Sequence, residues 1–298
     1  MVIGGNTHER RQVYRSASRG ECRERWLSLQ AADIPCEILR DGRDYAVVVS
    51  VADVRRAATE LEAYAREKND ASIDRDAVPA AGDGWRGVFG YAIVLLMVDS
   101  LHVRGAFGAD WFARGEVVAG WVRDGQWWRT VTALTLHMDA PHLMGNLFFG
   151  GLFGLFAGQM IGSGLAWMGI LLAGAMGNTI NCWIQPPEHA SLGASTAVFG
   201  ALGLVSWISW AQRARTTPSR LARWTPVVGG VVLLGFTGTG GPQTDVSAHV
   251  AGFISGLVLG AGAVALTRRT AIGPRVQCLL GLAAVMVVAA CWTIALRQ

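Results

Sequence analysis

From about residue 86 to the C-terminus the chain is a succession of apolar segments, most of them about as long as a bilayer is thick. A hydrocarbon core of about 30 Å takes about 20 helical residues to cross, and inside it every backbone N–H and C=O must be bonded within the protein. That requirement selects a bundle of helices. Seven segments are predicted, at about 86–102, 140–159, 164–184, 195–212, 225–238, 247–266 and 276–295, the fifth of them short. The composition agrees. Of 298 residues, 51% are hydrophobic and only 16% charged, with 38 glycines and 12 tryptophans, a balance foreign to ordinary soluble proteins.

The charges between the segments set an orientation. QRARTTPSRLARW, after the fourth segment, and TRRTAIGPR, after the sixth, are rich in arginine and free of acids, so both are expected in the cytoplasm. Counting back puts the N-terminus there too. Arg104, Arg114, Arg123 and Arg129 in the long first loop run against that rule without breaking the parity. MVIGGNTHERRQVYR has no apolar centre and does not read as a signal peptide, which leaves targeting to the first membrane helix. The expected location is the plasma (inner) membrane. The net charge of +4 belongs to this topology, and no nucleic-acid motif accompanies it. Cys22, Cys36, Cys182, Cys278 and Cys291 form no CxxC, so neither a metal nor another cofactor is expected.

Residues 1–78 read as a small α+β cytosolic accessory domain. RGECRERWLSLQAADI has helical spacing, Asp41-Gly42 turns a hairpin between two short strands, and VADVRRAATELEAYAREKND is an amphipathic helix. NDASIDRDAVPAAGDG is loop-like, and the linker proper is placed at 79–85. Residues 86–266 form the membrane core, and 267–298 a cytoplasmic loop with an additional helix.

Under this topology, Ser195, His249, His142 and Asn146 all lie near the starts of inward-running helices and so at similar depth. Polar side chains are costly there and are expected to face one another or a wet cavity. Their chemistry suits acyl transfer: a serine nucleophile, a neutral histidine base, and donors for an oxyanion. His142 and Asn146, four residues apart, share a helix face. Asp139 and Pro141 are expected to start that helix, leaving His137 just before it. Each residue also has a plainer reading. Ser195 could be an N-cap or part of a small-residue packing face, and His249 a buried structural histidine. Gly252, Gly256 and Gly260 read as a packing stripe. Asp245 is expected to cap a loop rather than to orient His249, and His102 and His189 have no assigned role.

These motifs resemble the rhomboid family of intramembrane serine proteases over about 86–265. Gly193-Ala194-Ser195-Thr196 is similar to the family's nucleophile motif, and the run from His249 to Gly256 to its histidine helix. His137, His142 and Asn146 are similar to its second-helix signature, and Trp128-Arg129 to the Trp-Arg pair of its first loop. The resemblance implies Ser195 as nucleophile, His249 as base and His142 with Asn146 as oxyanion donors, with His137, Gly193, Phe199, Trp128 and Arg129 in support. It implies a Ser–His dyad without an acid, a six-helix core with the seventh helix added, and membrane-protein substrates, single-pass or polytopic, cleaved near the outer face. A gate made by the short fifth segment and TGTGGPQTDVS is also implied. Two residues depart from the pattern: Thr196 stands where glycine is frequent, and Phe199 where tyrosine often stacks on the histidine. The rival readings are a non-proteolytic binding protein and a small-molecule transporter, the latter disfavoured by the lack of an internal repeat.

Overall fold

The computed structural model describes residues 10–76, 84–217, 219–238 and 244–298. The chain divides into two compact units, Met1–Pro79 and Ala80–Gln298. Residues 79–83 of the expected linker, and 239–243 of the expected gate loop, lie outside the described residues.

In the first unit, β1 (Arg10–Ser16), α1 (Arg19–Ala31), β2 (Cys36–Asp41), β3 (Asp44–Ser50) and α2 (Val54–Asp76) follow in order. The sheet is antiparallel with order β1-β3-β2. Gly42 turns the β2–β3 hairpin at φ +64°, a conformation glycine adopts without strain. Val47 and Val49 of β3 bury one face against Cys22 and Leu29 of α1 and Ala57 of α2. Two features differ from expectation. β1 was not foreseen, and α2 runs on to Asp76 through residues expected to be loop.

The second unit is helical. Its long helices are α3 (Trp85–Val103), α7 (Ala140–Ile161), α8 (Ser163–Ile184), α9 (Ser195–Thr216), α12 (Val246–Arg269) and α13 (Pro274–Arg297), with the shorter α11 (Thr225–Thr237). The α3–α7 connection folds into α4 (Trp111–Gly115), β4 (Val117–Val118), α5 (Ala119–Arg123) and α6 (Arg129–Thr132). β5 (Ala190–Ser191) precedes α9, and α10 (Arg220–Arg223) precedes α11. Among the described residues, five helices are long and apolar enough to cross a membrane: α3, α7, α8, α12 and α13. Seven segments were expected. α11 has only 13 residues. α9 is as long as α7, but its last turns carry Arg213 and Arg215. It can be less apolar because it packs against α7, α8, α11 and α12 and meets little lipid.

The contact between α9 and α12 is backbone to backbone. A Cβ at Gly252 would overlap the Thr196 carbonyl oxygen, one at Gly256 the Gly200 carbonyl oxygen, and one at Gly203 the Phe253 carbonyl oxygen. The expected stripe is therefore a seam in which glycines of both helices let the backbones touch. α13 is tied in at several heights. Gln277 donates to Ile161 O and accepts from Leu165 N across the α7–α8 turn. Trp292 Nε1 donates to Thr135 Oγ1, and Arg114 donates to the carbonyls of Ala295 and Leu296.

Overpacking such a contact costs about 1–3 kcal/mol. Gly256→Ala is therefore expected to lower unfolding stability in detergent by about that much. Gly262→Ala, whose Cβ meets nothing within 4 Å, is expected to leave stability unchanged or raise it by about 0.4–1 kcal/mol. Equal effects of the two changes in a thermal or denaturant titration would rule out the seam.

Candidate active site

α9 starts at Ser195 because Gly193, at φ +127°, turns the chain into it. α12 is capped by Asp245, whose carboxylate accepts from Ala248 N at 3.0 Å, and His249 follows in the first turn. The seam joins the two helices, and their first turns meet. His249 Nε2 lies 2.8 Å from Ser195 Oγ, and His249 Nδ1 lies 2.9 Å from the carbonyl oxygen of Gly238, at the end of α11. A carbonyl can only accept, so Nδ1 carries the proton. Nε2 is then left as the acceptor for the serine hydroxyl. His249 is buried, and the Phe199 ring lies 4.5 Å from it, centroid to centroid. The bulk of Thr196 is accommodated because its methyl group packs against Gly177 of α8 and Gly252 of α12.

α7 brings two more of the expected residues near. Asp139 caps it by accepting from His142 N at 2.7 Å. The His142 ring covers Gly193: a Cβ there would stand 2.8 Å from His142 Nε2 and 3.7 Å from Ser195 Oγ. Glycine at 193 thus leaves a small space between the imidazole and the hydroxyl. Asn146 is buried and donates to His142 O of its own helix at 3.1 Å, which leaves its second amide hydrogen free of that bond. His137, also buried, stands edge-on to His142 and accepts a long 3.4 Å hydrogen bond from Ala194 N.

Trp128 and Arg129 sit apart from Ser195 and organise the first loop. The buried Arg129 guanidinium donates to the carbonyls of Ala113 and Glu116 and to Gln126 Oε1, and lies over the Trp121 ring. Trp128 packs with Trp111, Leu136 and Trp292. The loop holds the segment leading into α9 through backbone bonds. β4 pairs with β5, Ala119 N donates to His189 O, and Gly193 N donates to Ala133 O, both at 2.9 Å.

Asp245 does not orient His249 directly. Its Oδ1 accepts from Ser247 Oγ and Ala248 N, and its Oδ2 is bonded to Asn181 Nδ2 at 2.6 Å and to His189 Nε2 at 2.7 Å. His189, left without a role above, and Asn181 are the residues here that sequence patterns did not single out. Asn181 was visible only as one of two asparagines in an apolar segment.

Arg129→Ala would leave the Ala113 and Glu116 carbonyls without their donor, at about 1–3 kcal/mol for each acceptor that stays buried. Faster proteolysis in the first loop and a lower unfolding temperature are expected. Arg129→Lys should recover only part of the loss, because an ammonium lacks the planar fork. Wild-type behaviour of the alanine variant would count against this role.

Residues 124–266 match the family model described as Rhomboid domain. Three curated relatives are similar. Rhomboid protease GluP of Bacillus subtilis (strain 168) is 31% identical over 196 residues, covering 62% of this chain and 36% of the relative. Rhomboid-like protein 11, chloroplastic, of Arabidopsis thaliana is 35% identical over 89 residues, covering 29% and 32%. RHOMBOID-like protein 7 of the same plant is 29% identical over 141 residues, covering 45% and 42%. The aligned region spans less than half the length of each relative. Over residues 124–266 the chain is similar to the Rhomboid domain, and the five long apolar helices among the described residues are those of a multi-pass membrane protein.

Proposed function

We propose that the chain is an intramembrane serine endopeptidase that cleaves transmembrane segments of membrane proteins through a Ser195–His249 dyad. The observation that carries this reading is the 2.8 Å contact of His249 Nε2 with Ser195 Oγ, with Nδ1 engaged by the Gly238 carbonyl. The similarity to a protein named Rhomboid protease GluP supports the same class.

The chemistry follows from these atoms. Ser195 Oγ attacks a peptide carbonyl while its proton passes to His249 Nε2. The negative charge on the former carbonyl oxygen collects in the space beside Gly193. His142, the second amide hydrogen of Asn146 and the Ser195 backbone N–H are its donors there, the last with the help of the α9 dipole. His249 returns its proton to the leaving amine as the C–N bond breaks. Water then attacks the acyl-enzyme, gives a proton to His249, and the Ser195 oxygen leaves with it. His137 fixes the turn at Ala194, and Phe199 backs the His249 ring. No metal or cofactor takes part. The Arg-rich loops favour a cytoplasmic N-terminus in the plasma membrane, seven spanning helices, and cleavage near the outer face. α11, short and exposed on one side, would be the element that moves to admit a substrate helix.

The test is cleavage of a labelled transmembrane substrate in proteoliposomes. Wild type should cleave, with or without a chelator. Ser195→Ala should not, and His249→Ala should be slower by about 10²–10⁴-fold. Gly193→Ala, which fills the space beside Ser195 at a φ unsuited to alanine, should react with a fluorophosphonate at least about tenfold more slowly. Cleavage retained by Ser195→Ala would sink the nucleophile assignment. A wild type inert to both substrate and probe would favour the binding-protein reading.

A further inference from the structure

We propose that Asp245 and His189 are positioning residues that set the distance between Ser195 and His249; this rests on the dyad reading above. His189 lies six residues before Ser195, and Asp245 four residues before His249. Each therefore sits on the segment that delivers one member of the pair. His189 Nε2 and Asp245 Oδ2 are 2.7 Å apart.

The pair is the centre of a polar clasp. Asn181, at the end of α8, donates to the same Asp245 oxygen at 2.6 Å. Gln185 donates to Ser247 Oγ at 2.6 Å, and Ser247 donates to Asp245 Oδ1 at 2.8 Å. One end of the clasp is anchored, because the His189 carbonyl accepts from Ala119 N and Gln185 O from Arg123 of the first loop. The other end is the start of α12. Burial raises the Asp245 carboxyl, but hydrogen bonds from His189, Ala248 N and Ser247 outweigh it and hold the group below the usual carboxylate range. The carboxylate stays ionised at neutral pH and keeps its donors.

Asp245 does not act as the acid of a triad. His249 Nδ1 is bonded to Gly238 O, and the Asp245 oxygens are bonded elsewhere. Its action passes through the helix start. The seam fixes α9 against α12 from their first turns onward, and the clasp fixes the segments that enter those turns. A hydrogen bond of 2.8 Å weakens within a few tenths of an ångström, and a misplacement of about 1 Å costs about 100-fold in rate.

The test uses the full chain in proteoliposomes, with His189→Ala, His189→Gln, Asp245→Asn and the double change His189→Ala/Asp245→Asn. Cleavage kinetics, fluorophosphonate labelling of Ser195 and unfolding temperature are measured for each. His189→Ala should lower kcat at least about tenfold with KM unchanged, since substrate contacts are untouched. His189→Gln should recover most of it, because a glutamine amide can donate to the carboxylate. Asp245→Asn sets an amide NH₂ against two of the four donors around it and should fall like His189→Ala. The double variant should be no slower than the slower single, because one contact is lost only once. Single variants at the wild-type rate, additive losses, or no rescue by glutamine would overturn the positioning role alone. A wild type in which Ser195 is not labelled would overturn the dyad reading, and this role with it.

Discussion

The close approach of α9 and α12 is the contact on which the site depends. Helices carrying ordinary side chains pack with axes about 8–10 Å apart. Gly203 on α9 and Gly252 and Gly256 on α12 remove the side chains between the axes, and the backbones meet at carbonyl oxygens. In lipid there is no hydrophobic drive to push such helices together, so close van der Waals contact supplies the attraction instead. The seam starts at Thr196, one residue after Ser195, and Gly252 lies one turn after His249. The 2.8 Å contact between their side chains is the end of that row. Thr196 fits the same pattern, since its methyl group fills what Gly177 and Gly252 leave open.

A seam fixes two helices but not the chain that enters them. The first loop does that here. Its buried Arg129 gathers carbonyls of α4 and the residues after it, and Asn178 of α8 donates to Thr130 O. Backbone bonds with Gly120, Ala119, Val117 and Ala133 then hold 187–193 in place. α13 supports the loop from behind, through Trp292 on Thr135 and Arg114 on the last helical carbonyls. The seventh helix is thus bonded into the structure that holds the turn at Gly193, and does not stand beside it as an appendage.

Helix positions and the Ser195–His249 meeting were legible in the sequence for a physical reason. A bilayer fixes the length of a spanning helix, so residues at helix starts of equal direction share a depth. Polar residues at that depth have few neighbours to choose from. Length and apolarity together mark five of the seven expected segments; α9 is as long as the others but wrapped by helices and so less apolar, and α11 is apolar but has only 13 residues. The Asp245–His189 pair was not legible. It joins residues 56 apart through an irregular connection, and no periodicity carries that information. β1 escaped because RRQVYRS has arginines at the positions where a half-buried strand shows alternation. The continuation of α2 through NDASIDRD escaped because Asn, Asp and Ser there read as turn formers, though nothing in them forbids a helix.

Among the described residues, no acid is bonded to the His249 ring, and this also has a physical account. A carboxylate at that depth would have to be stripped of water, and its desolvation can exceed what it returns by attraction to an imidazolium. The end of α11 offers an alternative. The last carbonyls of a helix have no partner within it and carry about half a negative charge between them. The Gly238 carbonyl is one of these, and His249 Nδ1 takes it at 2.9 Å. That single bond satisfies an orphan acceptor, selects the tautomer that leaves Nε2 basic, and places partial negative charge where a proton on the ring would be stabilised. It also makes the state of His249 depend on the position of α11. A displacement of that helix end would remove the acceptor and free the ring to adopt the other tautomer. Nε2 would then be a donor, unable to accept a hydrogen bond from the Ser195 hydroxyl. The geometry of α11 and the tautomer of His249 are therefore one property, joined at a backbone oxygen that no substitution of a side chain can delete.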